Sequence, residues 1–182
     1  MRPEPQDGIG LPSGYAIRGH RPDDDLALLG IENRAAELFR DHGYPDVADE
    51  PFGSVDDLRA MMAGHRVWVA TTQEGVAAGF AVAAPLDAFF HLRELSVDPA
   101  HGRRGLGAAL VRTVIRAGRA AGLAGVSLTT FRSVPFNAPF YAGLGFAELP
   151  QSEVPDMLAE MFEREVPKGV DASERVLMVR RY

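Results

Sequence analysis

The sequence predicts a single domain of mixed α/β (α+β) class, one β-sheet with helices packed against it. Three observations point there. Two β-rich runs, residues 67–72 and 76–83, are separated by Gln73-Glu74-Gly75, a hairpin signal. Residues 89–97, 105–121 and 126–131 read as a strand, an amphipathic helix and a strand, a succession that lays a helix across a sheet. The chain has 182 residues, 46% of them hydrophobic, which suffices for one sizeable core and calls for no second domain.

Taken in order, residues 1–14 hold Pro3, Pro5, Pro12 and three glycines but no apolar core like that of a signal peptide, and read as a flexible lead-in. Residues 15–19 read as a short strand. Asp23, Asp24 and Asp25 then stand where carboxylates favour a helix N-terminus, before an apolar series of Leu26, Leu29, Ala36 and Phe39. Residues 41–54 have the glycines, prolines and carboxylates of a loop long enough to line a site, and residues 55–62 form a second short helix. After the hairpin, a third strand over residues 89–97 follows Pro85. In the helix that begins at Gly105, Leu106, Leu110, Val114, Ala117 and Ala121 recur at helical spacing while Arg112, Arg116 and Arg119 mark another face, and Gly122 stops it. A strand at 126–131, a short helix at 138–144 ended by Gly145, a helix at 154–165 and a strand at 175–180 complete the chain.

Composition excludes several function classes. A formal net charge of -6 lacks the basic face that nucleic acid requires, and suits a cationic or neutral partner better. The absence of cysteine removes disulfides, thiolate metal ligands and a thiol nucleophile. The longest apolar run, residues 76–86, is interrupted by Gly79 and Pro85 and falls short of the roughly 20 residues of a membrane helix. A protein without membrane partner, located in the cytoplasm, is the expectation. His42, His65 and His101 show no metal-ligand spacing, and no metal is expected.

The most informative segment runs from Leu92 through Asp98-Pro99-Ala100-His101-Gly102-Arg103-Arg104-Gly105-Leu106-Gly107-Ala108, from a strand through a polar loop into a helix. Such a helix start offers unpaired N–H donors and a favourable dipole, and glycines let a diphosphate approach the main chain. Arg103 and Arg104 add mobile positive charge. A Walker loop would need Gly-Lys-Ser/Thr, which is absent, and a dinucleotide fingerprint would need Gly or Ala at Leu110 and an acidic residue about 20 positions on.

The glycines instead match the R/Q-x-x-G-x-G/A signature, and Asn137-Ala138-Pro139-Phe140-Tyr141-Ala142-Gly143-Leu144-Gly145-Phe146 matches an F-Y-x-x-L-G-F segment. On these two blocks the sequence resembles the GCN5-related N-acetyltransferase (GNAT) family from about residue 15 to residue 182. The signature's leading Arg or Gln falls on Gly102, so that side chain is missing, and Arg103 and Arg104 are both open as substitutes. The resemblance implies a single acyl-CoA N-acyltransferase domain over 15–182, with a central mixed, mostly antiparallel twisted sheet flanked by helices.

It further implies acetyl-CoA as co-substrate, held by Arg103, Arg104, Gly105, Leu106, Gly107 and Ala108. A bulged strand would offer the main chain of Leu95, Ser96 and Val97 to the pantetheine arm and one amide to the thioester carbonyl. Tyr141 matches the family tyrosine near the thiol and is the implied acid; a phenol keeps its proton at neutral pH. For the base, Glu94, His91 and a water relay remain open. Asn137 is a cofactor ligand by resemblance, although it stands four residues before Tyr141 where the commoner spacing of seven falls on Val134; an N-cap role is the alternative. The acceptor would be a primary amine of a small molecule or peptide. Asp46, Asp49 and Glu50 would either attract a cationic acceptor or form a solvated acidic loop. A silent acyl-CoA-sensing module is the competing function, and self-association into a homodimer is left open.

Overall fold

The computed structural model describes residues 10–182; the first nine residues of the lead-in lie outside them. Seven strands form one sheet: β1 (Tyr15–Gly19), β2 (Arg66–Thr72), β3 (Ala77–Leu86), β4 (Phe89–Val97), β5 (Gly125–Phe131), β6 (Ala147–Glu148) and β7 (Arg175–Arg181). Their order is β1-β2-β3-β4-β5-β7-β6. Every pairing is antiparallel except that of β4 with β5, the two strands joined across helix α4 (Leu106–Ala120). A parallel pair needs such a crossover, because its second strand must start at the same end as the first.

Besides a register shift between β2 and β3 at Ala70 and Thr71, two departures from regular pairing fall on β4. Opposite β3, Glu94 pairs with Val82 and Leu92 with Ala83, so Arg93 is an inserted residue. This is the bulge expected on that strand, and it bends β4. On its other edge β4 meets β5 only from Phe89 to His91, opposite Gly125 to Ser127. Beyond His91 the strands part, and the sheet opens into a wedge.

The core divides about the sheet. On one face α4 lays Leu106, Leu110, Val114 and Ile115 against Trp68, Phe90, Leu92 and the alanines of β3. On the other, α1 (Asp25–Ala36) and α3 (Val55–Met62) place Leu28, Ile31, Leu58 and Met62 on Val69, Phe80 and Val82. Helix α6 (Asp156–Arg164) adds Leu158 against Phe89, Leu177 and Val179. Ser54 caps α3 by accepting from the Asp57 N–H at 3.2 Å.

Five sequence expectations need correction. The buried stripe of α1 is Leu28 and Ile31, whereas Leu26 is 74% exposed. That helix stops at Ala36, and a 3-10 segment, Glu37–His42, turns Phe39 onto Phe131 and Phe136. Residues 41–54 contain a short helix, α2 (Pro45–Asp49), begun by a proline in its first turn. Strand β3 continues through Pro85 to Leu86: β2 ends opposite Ala83, so Pro85 has a strand neighbour on one side only and its missing N–H breaks no ladder there. The helix at 138–144 shortens to α5 (Ala138–Ala142).

Candidate functional site

The wedge between β4 and β5 opens into a cleft of about 1190 Å³ that crosses the sheet. Side-chain alternation divides its walls. Leu92, Leu95, Val97, Leu128 and Val176 belong to the core under α4, so Glu94, Ser96, Thr129, Phe131 and Arg175 point to the opposite face. One mouth is therefore framed by α4 and α5. The other is framed by α1, α6 and the start of β7.

At the first mouth, Arg103, Gly105, Leu106, Gly107 and Ala108 line the cleft. Arg103 and Gly105 both have left-handed backbone, φ 59° and 88°. A Cβ at Gly105 would meet nothing within 4 Å, so the glycine is required by conformation rather than by crowding. No side chain caps α4, which leaves its first-turn N–H groups directed at the cleft. The two arginines separate: Arg103 stands at the cleft, while Arg104 does not line it and donates from Nη1 to the Tyr15 hydroxyl at 3.3 Å. Of the two candidates to replace the side chain missing at Gly102, the fold brings only Arg103 to the site. His101 is half-buried, with its Nδ1 2.9 Å from the Tyr15 hydroxyl at the cleft edge.

The two sequence blocks meet here. A Cβ on Gly107 would lie 3.5 Å from Phe140, the residue before Tyr141. Tyr141 is 8% exposed, packs edge-on against Phe140 and Phe146, and lines the cleft. Burial pushes its phenol above the usual range, and the charge of Glu94 adds to this. Asn137 stands at the start of α5 but caps nothing; its Oδ1 accepts from the Phe131 N–H at 3.4 Å, holding the end of β5 at the cleft.

Glu94 sits on the floor of the wedge, half-buried. Its Oε1 accepts from the Leu95 N–H at 3.1 Å and from Ser96 Oγ at 3.0 Å. Burial raises its pKa above the ordinary carboxylate range, more than those two donors lower it. The Leu95 amide thus holds the Glu94 side chain rather than standing free. His91 is elsewhere: 3% exposed, with Nδ1 at 3.0 Å from Ser127 Oγ and Nε2 at 3.1 Å from Glu165, and it does not line the cleft. Glu165 also accepts from Arg93 at 2.8 Å and from the Thr129 hydroxyl. Burial would raise the Glu165 carboxyl, but His91, Thr129 and Arg93 outweigh it and hold it below the usual range.

Glu32, on α1, escaped the sequence reading. It lines the cleft, and its pKa is pushed up to about 7 by burial, with the charge of Glu94 adding to it. The signal was present: Glu32 stands one turn after Leu28 and next to Ile31 on the buried stripe of α1. An acid with a raised folded pKa stabilises least at high pH, because the unfolded chain releases the proton first. Stability should fall as pH rises from the ordinary carboxylate range to about 7. Glu32→Gln is expected to raise the melting temperature by several degrees at pH 8 and much less at pH 5; an equal change at both would contradict this.

Residues 41–54 reach the cleft through His42, Val47 and Phe52, not through the carboxylates of Asp46, Asp49 and Glu50. Asp49 pairs with Arg40 at 2.7 Å, Glu50 with Lys168 at 3.6 Å, and neither they nor Asp46 line the cleft. Among the described residues no group of three or more His, Asp or Glu could hold a metal ion, and no helix is long and apolar enough to cross a membrane.

The fold is shared with solved proteins. The ribosomal-protein-S18-alanine N-acetyltransferase from Escherichia coli superposes with a TM-score of 0.65 at 21% identity, over 92% of this chain and 93% of that one. A GCN5-related N-acetyltransferase from Rhodopseudomonas palustris gives 0.68 at 21% identity, over 96% and 100%. The PaiA N-acetyltransferase of Thermoplasma acidophilum, solved with coenzyme A, gives 0.63 at 16%, over 92% and 99%. A sequence model of the acetyltransferase (GNAT) family matches residues 32–146, a span that takes in the end of α1, the bulged β4, the α4 loop and Tyr141. Fold and family together define an acyltransferase. This chain belongs to the acetyltransferase (GNAT) family.

Proposed function

We propose that this enzyme transfers an acetyl group from acetyl-CoA to a primary amine of a small molecule or peptide, by direct attack in a ternary complex. The observation that carries the reading is the α4 mouth. An uncapped helix start with two left-handed residues before it suits a diphosphate, and the unpaired edges of β4 and β5 suit an extended pantetheine arm. Arg103, Gly105, Leu106, Gly107 and Ala108 would hold the phosphates, and the main chain of Ser96 and Val97 the arm, Leu95 joining them through its carbonyl because its N–H is taken by Glu94, with Asn137 at the far wall. Arg104 is left out of this set.

Bound there, acetyl-CoA supplies an acetyl thioester. The protein's own groups do the rest. Glu94 takes the proton of the attacking amine, directly or through one water, and its raised pKa brings it closer to the working pH of a general base. The Tyr141 hydroxyl donates its proton to the departing sulfur. A main-chain amide of the bulged strand polarises the carbonyl. A silent acyl-CoA-sensing module would need neither Glu94 nor Tyr141 beside the wedge.

The cofactor reading is tested at Gly105. Gly105→Val must adopt φ near 88° with a β-branched side chain, which costs about 1–2 kcal/mol or moves the loop. The acetyl-CoA-induced rise in melting temperature should vanish in this variant. Its survival at wild-type size would rule out the α4 loop as the phosphate site.

A further inference from the structure

The second mouth, framed by α1, α6 and the start of β7 and left for the acceptor, holds a guanidinium that makes no contact ion pair, although the charges of Glu165 and Glu94 reach it. Arg175, the first residue of β7, stands opposite Phe131 on β5 and lines the cleft. Its guanidinium lies over the Phe131 ring, 4.6 Å from the centroid. One arm, Nη2, donates to Thr129 Oγ1 at 3.0 Å. The Thr129 hydroxyl spends its own proton on Glu165, so toward Arg175 it can only accept. The Nε of Arg175 is buried and has no hydrogen-bond partner. Its neighbours are matched: Arg93 pairs with Glu165 at 2.8 Å, and Arg132 with Glu148 at 2.8 Å.

A guanidinium keeps its charge at any working pH, and a buried charge without a contact partner is costly. Aromatic stacking and one neutral hydroxyl offset only part of that cost. Across the same mouth stand the carboxyls of Glu32 and Glu94. Arg93, Arg164 and Glu165 line the cleft as well, but Arg93 pairs with Glu165 and Arg164 with Glu160, so the charge without a contact ion pair is acidic at Glu32 and Glu94 and cationic at Arg175. A diamine or polyamine would satisfy the first side and be repelled by the second.

We infer that the acceptor is a small amino carboxylate, whose amine faces Glu94 while its carboxylate pairs with the Nη donors that Arg175 does not spend on Thr129, the buried Nε lying behind them. The planar fork suits a carboxylate bidentately, which a lysine could not provide. The inference rests on the acetyl-transfer reading and narrows it to one class of amine. Glu165, held by Arg93, His91 and Thr129, keeps Thr129 oriented and leaves Arg175 to the ligand.

The test uses the full chain and matched pairs of amino acids and their primary carboxamides, with diamines as a third group. Two readouts are taken: the melting temperature of the CoA-loaded protein with each acceptor, and thiol release from acetyl-CoA. The carboxamide has the less basic amine, so its intrinsic reactivity at neutral pH favours it over the carboxylate. Against that bias, amino carboxylates should raise the melting temperature and show KM about 10²-fold below their amides. In Arg175→Met, whose stem still covers Phe131, that ratio should collapse toward one, and Arg175→Lys should fall between. A wild-type ratio near one, a preference for diamines, or a ratio unmoved in Arg175→Met each overturns the inference. The wild-type ratio decides even if a variant fails to fold. Should acetyl-CoA bind and an uncharged amine be acetylated while amino carboxylates are not preferred, only this inference falls. Should acetyl-CoA not raise the melting temperature at all, the acetyl-transfer reading falls and takes this one with it.

Discussion

Glu94→Gln is expected to lower kcat/KM by about 10²–10⁴-fold and to remove the acid limb of its pH profile. Glutamine has the same shape, and its amide oxygen can still accept from Ser96 Oγ and the Leu95 N–H, so the wedge should keep its form. What it loses is the ability to take a proton. In the wild type the working form is the carboxylate, and burial lifts its pKa above the ordinary carboxylate range. The rate should therefore climb tenfold per pH unit through a window displaced upward from that range, then level. Glu32 bears on the same window, because two carboxylates that feel each other's charge titrate as a pair. Glu32→Gln should move the limb to lower pH. Wild-type turnover in Glu94→Gln, with the acid limb intact, would leave the amine proton to water.

Tyr141→Phe should cut kcat by about 10²-fold while the acetyl-CoA-induced rise in melting temperature stays at its wild-type size. The ring contacts to Phe140 and Phe146 survive the substitution, so stability should change little. Only the hydroxyl is removed. Burial and Glu94 hold the phenol above its usual range, so it stays protonated at every pH used for assay and loses its proton only to a strong base formed beside it. Burial in the same wedge raises the basicity of a departing thiolate as well, so the hydroxyl can donate to the sulfur as its charge develops. A split in which KM for acetyl-CoA rises and kcat holds would make Tyr141 a packing residue of the cofactor mouth and end its assignment as the acid.

Much of the α4 mouth was legible because its constraints are local. A run of glycines between a strand and an amphipathic helix dictates left-handed turns and an uncapped helix start, whatever surrounds it. The bulge on β4 came with the family resemblance, and the register confirms it at Arg93. The acceptor mouth was not legible in the same way. Glu32, Glu165 and Arg175 come from α1, the end of α6 and the start of β7, and only the sheet order, with β7 beside β5, brings them together. His91 shows the converse: its spacing from the loop fitted a base, but strand alternation and the pairing with Ser127 turn it into the interior, onto Glu165.

By itself the sequence determined the fold class and most element positions, and it pointed to the α4 loop, Tyr141 and Glu94 as the residues proposed for the site, since periodicity, turn chemistry and short motifs act over a few residues. Tertiary structure alone decided that Arg103 rather than Arg104 reaches the cleft, that Asp49 and Glu50 turn to Arg40 and Lys168, and that Arg175 lines the same cleft as Glu32 and Glu94. These are questions of which charges end up close together. In a chain whose charged residues are spread over every element, distance in space, and with it the Coulomb term, follows strand order and helix packing rather than spacing along the sequence.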